Sequence, residues 1–383
     1  MAARVGAGIS FDDTGVDAFA EASARAALAL GGGPADLALV FAGPDNLEHA
    51  EEGVAAVQER LRPAALSGCG AQGVVGAGRE LESGGVCVWA ASFEGGEAEP
   101  FHAEAMETDD SVTVAGMPEL GGSDGAILLA DPYTFPAEPL LGALAGEHPG
   151  VPVVGGLASG GPGPAALLDA DGPVAGGAVG AVLRGVELRP CVSQGARPVG
   201  PEMTVTAAEG NVIHELASRP ALERLKEAIT ELDPHERALA SGGLLMGIVV
   251  DQNKPDYERG DFLVRGLAGV EEETGSLAVA ATARVGQTVR MHVRDAASAH
   301  EDLMHALDRQ LESLGGPPAG ALLFTCNGRG AGMFGVPHHD AGAVAEAFAN
   351  APTAGFFCAG EIGPVGGRSF VHGFTATIAA FPA

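Results

Sequence analysis

The stretch Ala321-Leu322-Leu323-Phe324-Thr325-Cys326 is apolar at successive positions, not alternate ones, and a strand written that way is buried on both faces. Downstream, Gly355-Phe356-Phe357-Cys358-Ala359-Gly360-Glu361-Ile362-Gly363 bends on its glycines, and Phe374-Thr375-Ala376-Thr377-Ile378-Ala379 supplies another strand. The same plan of apolar strand, helix, Gly-rich bend and second strand pair occurs twice before it. Leu37–Ala42 leads to Ser67–Gly73 and then Val86–Ala91. Ala126–Ala130 leads to Val154–Gly161 and then Gly177–Leu183. A strand feeding a helix that crosses back over the sheet is the unit of an α/β fold. The expectation is therefore mixed β-sheets with helices packed outside, built from repeated strand-helix-strand-strand units, with a four-layer αββα stack as one way to assemble them.

Other segments read as follows. After Pro44-Asp45, residues Leu47, Ala50, Val54, Val57 and Leu61 keep one helical face, with Asp45 as its cap. Pro220–Thr230 reads as a helix, Gly243–Val250 as an apolar run, and Ser276–Val293 as strands bent at Gly286. Ser298-x-x-Glu301 reads as a capping box opening a helix with Leu303, Leu307, Leu311 and Leu314 on one side. The proline-bearing segment Arg189–Glu202 is the expected domain boundary, dividing the chain into residues 1–195 and 196–383.

With 383 residues the chain can bury two cores, and its 46% hydrophobic content is that of a globular protein. Its 21 basic against 50 acidic residues give a net charge of −29. Such a surface repels phosphate backbones and anionic lipid, so neither nucleic acid nor a membrane surface is expected as a partner. No run reaches the ~18 apolar residues of a membrane span, and Met1–Gly15 lacks a signal-peptide core. Five scattered cysteines without C-x-x-C spacing argue against zinc and disulfides and for a cytoplasmic location. No cofactor is expected.

Several motifs match the letter of a pattern and fail its context. Gly68-Cys69-Gly70-Ala71-Gln72-Gly73 spells G-x-G-x-x-G, but extended sequence follows where a dinucleotide fold needs a helix. Gly121-Gly122-Ser123-Asp124-Gly125 spells a nucleophile elbow, but a strand follows it. His300 and His305 are five apart, so they diverge on a helix. His338-His339-Asp340 lacks further ligands at motif spacing, and Asp340 reads as a helix cap.

Phe324-Thr325-Cys326-Asn327-Gly328-Arg329-Gly330, followed by Gly355–Gly363, resembles the C-terminal half of the FIST domain family. Phe262–Val270 and Arg294-Asp295-Ala296 resemble its upstream motifs. The turns at Gly68-Cys69-Gly70 and Val154-Gly155-Gly156, with Gly177–Leu183, resemble its N-terminal half. The resemblance runs from about Ala35 onward. It implies a sensory module of signal transduction that binds a small molecule such as an amino acid and answers to a signalling protein of unknown identity.

Cys326, Asn327 and Arg329 end an apolar strand in a Gly-rich loop, the place where such sheets open onto ligands. Arg329 either clamps a ligand carboxylate or pairs with a structural acid. Glu361, after Gly360, either receives a ligand amine or pairs with Arg329 or Arg265. Ligand binding is accordingly expected at Arg265, Cys326, Asn327, Arg329, Gly360 and Glu361, without catalysis. The alternative is a thiol-dependent hydrolase or transferase using Cys326.

Overall fold

The computed structural model describes residues 3–11, 14–108, 111–161, 167–257 and 260–383. It divides into two compact units, one formed by Met1–Val192 with Leu303–Ala383 and the other by Ser193–Asp302.

In the first unit one repeat begins with β1 (Ala3–Ser10) and α1 (Val16–Leu30). Then come β2 (Leu37–Ala42), α2 (Pro44–Leu47), α3 (Ala50–Leu61), β3 (Ala65–Gly70), the hairpin β4 (Val74–Gly76) and β5 (Arg79–Leu81), and β6 (Val86–Phe93). The next repeat runs through β7 (Glu97–Thr108), β8 (Ser111–Ala115), β9 (Gly125–Ala130), α4 (Ala137–Glu147) and β10 (Val153–Leu157). It continues with the hairpin β11 (Leu167–Asp169) and β12 (Gly172–Val174), then β13 (Ala178–Arg184). The third opens with β14 (Arg189–Gln194), after which the chain enters the second unit.

That unit holds β15 (Ala196–Glu209), β16 (Val212–Leu216), β17 (Arg219–Pro220), α5 (Ala221–Glu231) and α6 (Pro234–Ser241). β18 (Leu244–Val249), β19 (Phe262–Glu271), β20 (Ser276–Val279) and β21 (Thr288–Arg294) complete it. The strands run β15-β21-β18-β19-β20-β16, and β16 pairs back onto β15, closing an antiparallel barrel. Register shifts in β15 and β19 bend these long strands around it. Met246, Met291 and Leu277 fill it, together with Leu222 and Leu225 of α5.

The third repeat resumes with α7 (Ala296–Leu314), β22 (Gly320–Cys326), α8 (Ala331–Phe334), α9 (His339–Ala347) and β23 (Thr353–Cys358). The hairpin β24 (Gly360–Val365) and β25 (Arg368–His372) and then β26 (Thr375–Phe381) end it. Ser298 was expected to cap α7. The helix begins two residues earlier, and the Ser298 hydroxyl instead donates to Asp295. The single helix expected after Pro44 is broken into α2 and α3, with Asp45 inside the first turn of α2. α3 keeps the expected buried face at Ala50, Val54, Val57 and Leu61, while Leu47 at the end of α2 is only partly buried.

Each repeat pairs its two apolar strands in parallel and adds a third antiparallel to the first: β3-β2-β6, β10-β9-β13 and β23-β22-β26. The hairpin between the second and third strands leaves its own sheet. β4 pairs with β23 of the third repeat, β11 with β3 of the first, and β24 with β10 of the second. The exchange is cyclic, so each sheet is completed by another repeat. Three sheets close on one shared core, where Phe41 of β2 stacks on Phe356 of β23 at 4.9 Å. α1 and α3, α4, and α7 with α9 cover the respective outer faces. The first strands β2, β9 and β22 are buried throughout, as their unbroken apolar runs require.

The Gly-rich bends hold equivalent places. Gly68, Gly155 and Gly355 lie opposite Val40, Leu128 and Leu323, each the fourth residue of its strand. A Cβ at those glycines would stand 2.2, 2.0 and 1.7 Å from the partner's carbonyl oxygen. Gly68–Gly73 is thus a strand end, with β4 after it and no helix. Ser159 ties the three bends together: its hydroxyl accepts the Gln72 N–H at 2.8 Å and donates to the Phe357 carbonyl. Gly355→Ala should cost about 3 kcal/mol in urea unfolding, since neither backbone can retreat. Gly332→Ala, with open space around it, should stay within about 0.5 kcal/mol.

Candidate functional site

The end of β22 and the loop after it carry three of the six expected residues, Cys326, Asn327 and Arg329. The Asn327 N–H donates to the Cys358 carbonyl at 3.0 Å, and the Arg329 N–H to the Cys326 carbonyl at 2.9 Å. This turn leaves Asn327 and Gly328 exposed and folds Arg329 inward until none of its side chain is accessible. Gly360 and Glu361 lie on β24, whose neighbour β10 belongs to the second repeat. Arg265 belongs to β19 of the other unit, where it is buried and donates to the Val264 carbonyl.

Arg329 spends its fork inside the protein. Nε and Nη2 donate to the two oxygens of Asp340 at 2.7 and 2.9 Å, and Nη1 donates to the Phe374 carbonyl at 3.4 Å. Asp340 was read as a helix cap. It is instead the second residue of α9, and its carboxylate also accepts from Thr325 at 2.7 Å. Burial pushes this carboxyl up, but the Arg329 charge and the bonds from His339, Arg329 and Thr325 outweigh it and hold it well below the usual range. Of the two readings of Arg329, the paired structural acid is the one the geometry shows; a ligand carboxylate would have to displace Asp340.

Glu361 is fully buried, and its hydrogen-bond partner is a threonine and not an arginine. Oε2 accepts the Thr375 N–H at 3.0 Å and the Thr375 hydroxyl at 2.8 Å, while Oε1 has no hydrogen-bond partner. Burial raises its pKa to about 8, against the Thr375 bonds and the Arg329 charge, which pull it down. The Cys326 thiol interacts with this carboxyl and is itself pushed up to about 12, by burial first and by Glu361 second. A thiol that stays protonated at neutral pH is a poor nucleophile.

Sequence reasoning missed the contribution of the first repeat. Glu80 of β5 caps the start of α9, accepting the Ala341 N–H at 2.9 Å, and its own N–H donates to His338 Nδ1 at 3.0 Å. Burial raises Glu80 to about 7, with the Ala341 bond opposing. Glu82 accepts the Ala331 N–H at 2.7 Å. His338 and His339 are engaged here, and no group of side chains able to hold a metal occurs among the described residues.

Comparing the repeats isolates what is special. Matched through the buried glycines, Glu361 occupies the position of Val74 and Leu167, both core residues. Matched through β26, β6 and β13, Phe374 falls where Gly84 and Gly176 stand, and Thr377 where Cys87 and Val179 stand. Gly84 and Gly176 have φ of 77° and 79°, and Phe374 is forced to 64°, a left-handed conformation costly for a bulky side chain. Thr377 Oγ1 is buried without a partner. The third repeat alone places polar groups and strain at these positions. That signal was readable, because Ser83-Gly84-Gly85, Ala175-Gly176-Gly177 and Gly373-Phe374-Thr375 can be aligned once the repeat is known.

Two consequences are measurable. Glu361 keeps its proton up to about pH 8 when folded but loses it near the ordinary value of about 4.3 when unfolded. The folded state therefore binds more protons, and stability should fall by on the order of 3–5 kcal/mol as pH rises from about 5 to 8. Glu80 acts in the same direction. Glu361→Gln should flatten this decline in urea melts without lowering stability at pH 5 by more than about 1 kcal/mol. Arg329→Met should cost roughly 3–5 kcal/mol by leaving Asp340 buried and unpaired, and adding Asp340→Leu should recover much of the loss.

Comparison with known proteins identifies the family. The FIST N domain matches residues 36–219 and the FIST C domain residues 221–364. An uncharacterized protein of Mycobacterium tuberculosis strain H37Rv is 44% identical over 382 residues, covering 99% of each chain. An uncharacterized protein of Mycobacterium bovis is 42% identical over 382 residues, covering 99% of this chain and 98% of its own. FIST domains are sensory domains of signal transduction. With both of its domains matched and relatives aligned along nearly its whole length, this chain belongs to the FIST family.

Proposed function

We propose that this protein is an intracellular sensor that binds a small molecule of the amino-acid kind in its third repeat, and that it catalyses no reaction. One observation carries the reading: a fully buried carboxyl, Glu361, with one oxygen lacking a hydrogen bond, stands where the sister repeats place valine and leucine. An uncompensated buried polar group costs about 1–3 kcal/mol, and such a cost is commonly retained where a ligand repays it. Cys326 and Gly360 adjoin this carboxyl, Asn327 would join them from the exposed loop, and Arg329 acts through Asp340 as a positioning residue.

The raised Cys326 pKa supports binding over the thiol-dependent alternative. Free cysteines support a reducing cytoplasm, and the charge of −29 supports a partner that is neither nucleic acid nor membrane. A signalling protein would read the ligand-bound state. The 195/196 division expected from the prolines lies upstream of residues 219–221, where the FIST N and FIST C matches meet.

A thermal-shift screen of amino acids and organic acids tests the proposal. A ligand at a hundred times its Kd should stabilise the wild type by about 2.7 kcal/mol and leave Glu361→Gln unmoved. Equal stabilisation of both proteins would remove the site. Rapid alkylation of Cys326 at pH 7 would favour the thiol enzyme.

A further inference from the structure

The cluster around Glu361 is short of positive charge. Its carboxyls are Glu361, Asp340 and Glu80, all buried. Its arginine, Arg329, is already matched by Asp340 through both branches of the fork, with neither partner accessible. Cys326 and Cys358, also close to Glu361, are thiols whose pKa burial raises, so neither offers a positive charge. His372, opposite Glu361 in register, holds the Gly363 carbonyl at 2.8 Å.

Two unpartnered oxygens occupy facing strands. Glu361 and Gly363 are alternate residues of β24, and Thr375 and Thr377 are alternate residues of β26. Glu361 bonds Thr375, and a Cβ on Gly363 would come within 2.7 Å of Thr377 Oγ1. The two pairs thus lie side by side, with Glu361 Oε1 and Thr377 Oγ1 both buried and unsatisfied. Either oxygen could donate or accept a hydrogen bond, so hydrogen bonding alone does not select a ligand. Charge does. Among the described residues, a carboxylate brought here would find Arg329 already matched by Asp340 and His372 bonded to the Gly363 carbonyl, and a buried unpaired charge is strongly unfavourable. An ammonium would neutralise Glu361 as it ionises.

We propose that this site reads the primary ammonium of its ligand and not a carboxylate. The proposal rests on the small-ligand reading of the same site and specifies which end of the ligand enters. Binding converts the Glu361 carboxyl to a carboxylate that accepts from the ammonium, and its proton leaves to solvent. Beside the site Cys326 is 9% accessible and Gly328 is exposed, and the Phe374 ring lies 3.4 Å from a would-be Gly328 Cβ.

The test uses the full chain with ethylammonium chloride and sodium acetate as probes at matched ionic strength, followed by thermal shift and calorimetry at pH 6, 7 and 8. Ethylammonium should stabilise the wild type, and its affinity should rise about tenfold from pH 6 to 7 before levelling near pH 8, as expected for a ligand that displaces one proton. Glu361→Gln should abolish the shift and Thr377→Val should weaken it, while acetate has no effect. Stabilisation by acetate, or an affinity that falls as pH rises, would overturn the ammonium assignment. So would an amino acid that binds in a Glu361-dependent way while ethylammonium does not, a result that leaves the small-ligand reading standing. Amine binding indifferent to Glu361→Gln would overturn both. A wild type that responds to no amine would mean that the unpaired oxygens serve a buried water, and would also overturn the assignment.

Discussion

The second parallel strand of each repeat has an open edge, and another repeat's hairpin closes it. β4 on β23, β11 on β3 and β24 on β10 form one cycle, so no repeat can satisfy its own backbone groups alone. An unpaired buried edge leaves a row of N–H and C=O groups without partners, and this need couples three modest sheets into one unit. The cost falls on local geometry, because the strands approach so closely that only glycine fits at Gly68, Gly155 and Gly355. Ser159 completes the coupling by bonding the first and third repeats from the second.

The same exchange builds the polar cluster. Glu361 travels on the third repeat's hairpin to the edge of the second repeat's sheet, yet it bonds back to Thr375 at the start of β26. Glu80 travels on the first repeat's hairpin and caps α9 of the third. Carboxyls that are distant in sequence therefore meet around Arg329, and their burial divides their roles. Asp340, matched by a guanidinium, stays ionised, whereas Glu361, without a cation of its own, holds its proton to about pH 8. Environment, not residue type, separates two acids in one core.

Pseudo-symmetry also provides an internal control. Val74 and Leu167 show what a scaffold alone requires at the position of Glu361, and Gly84 and Gly176 show what it requires at that of Phe374. Departures from those requirements cost stability through buried polar atoms and a left-handed aromatic residue. Their confinement to the third repeat ties the candidate site to that repeat independently of any motif.

By itself the sequence determined the repeated unit, the doubly buried strands and the helix faces at Val54, Val57, Leu303 and Leu307, because periodicity and glycine spacing are local consequences of backbone sterics and burial. It also marked Cys326–Gly330 and Glu361 as unusual, since charge inside an apolar run needs a reason. It did not reveal who pairs with whom. Asp340 looked like a cap, Glu361 looked like an arginine's partner, and Glu80 drew no attention. Those assignments depend on which sheet each hairpin joins, and the pairing of strand edges is set by long-range backbone hydrogen bonding that leaves no periodic trace in the chain. Only the tertiary structure decided that Arg329 was already neutralised and that Glu361 was not.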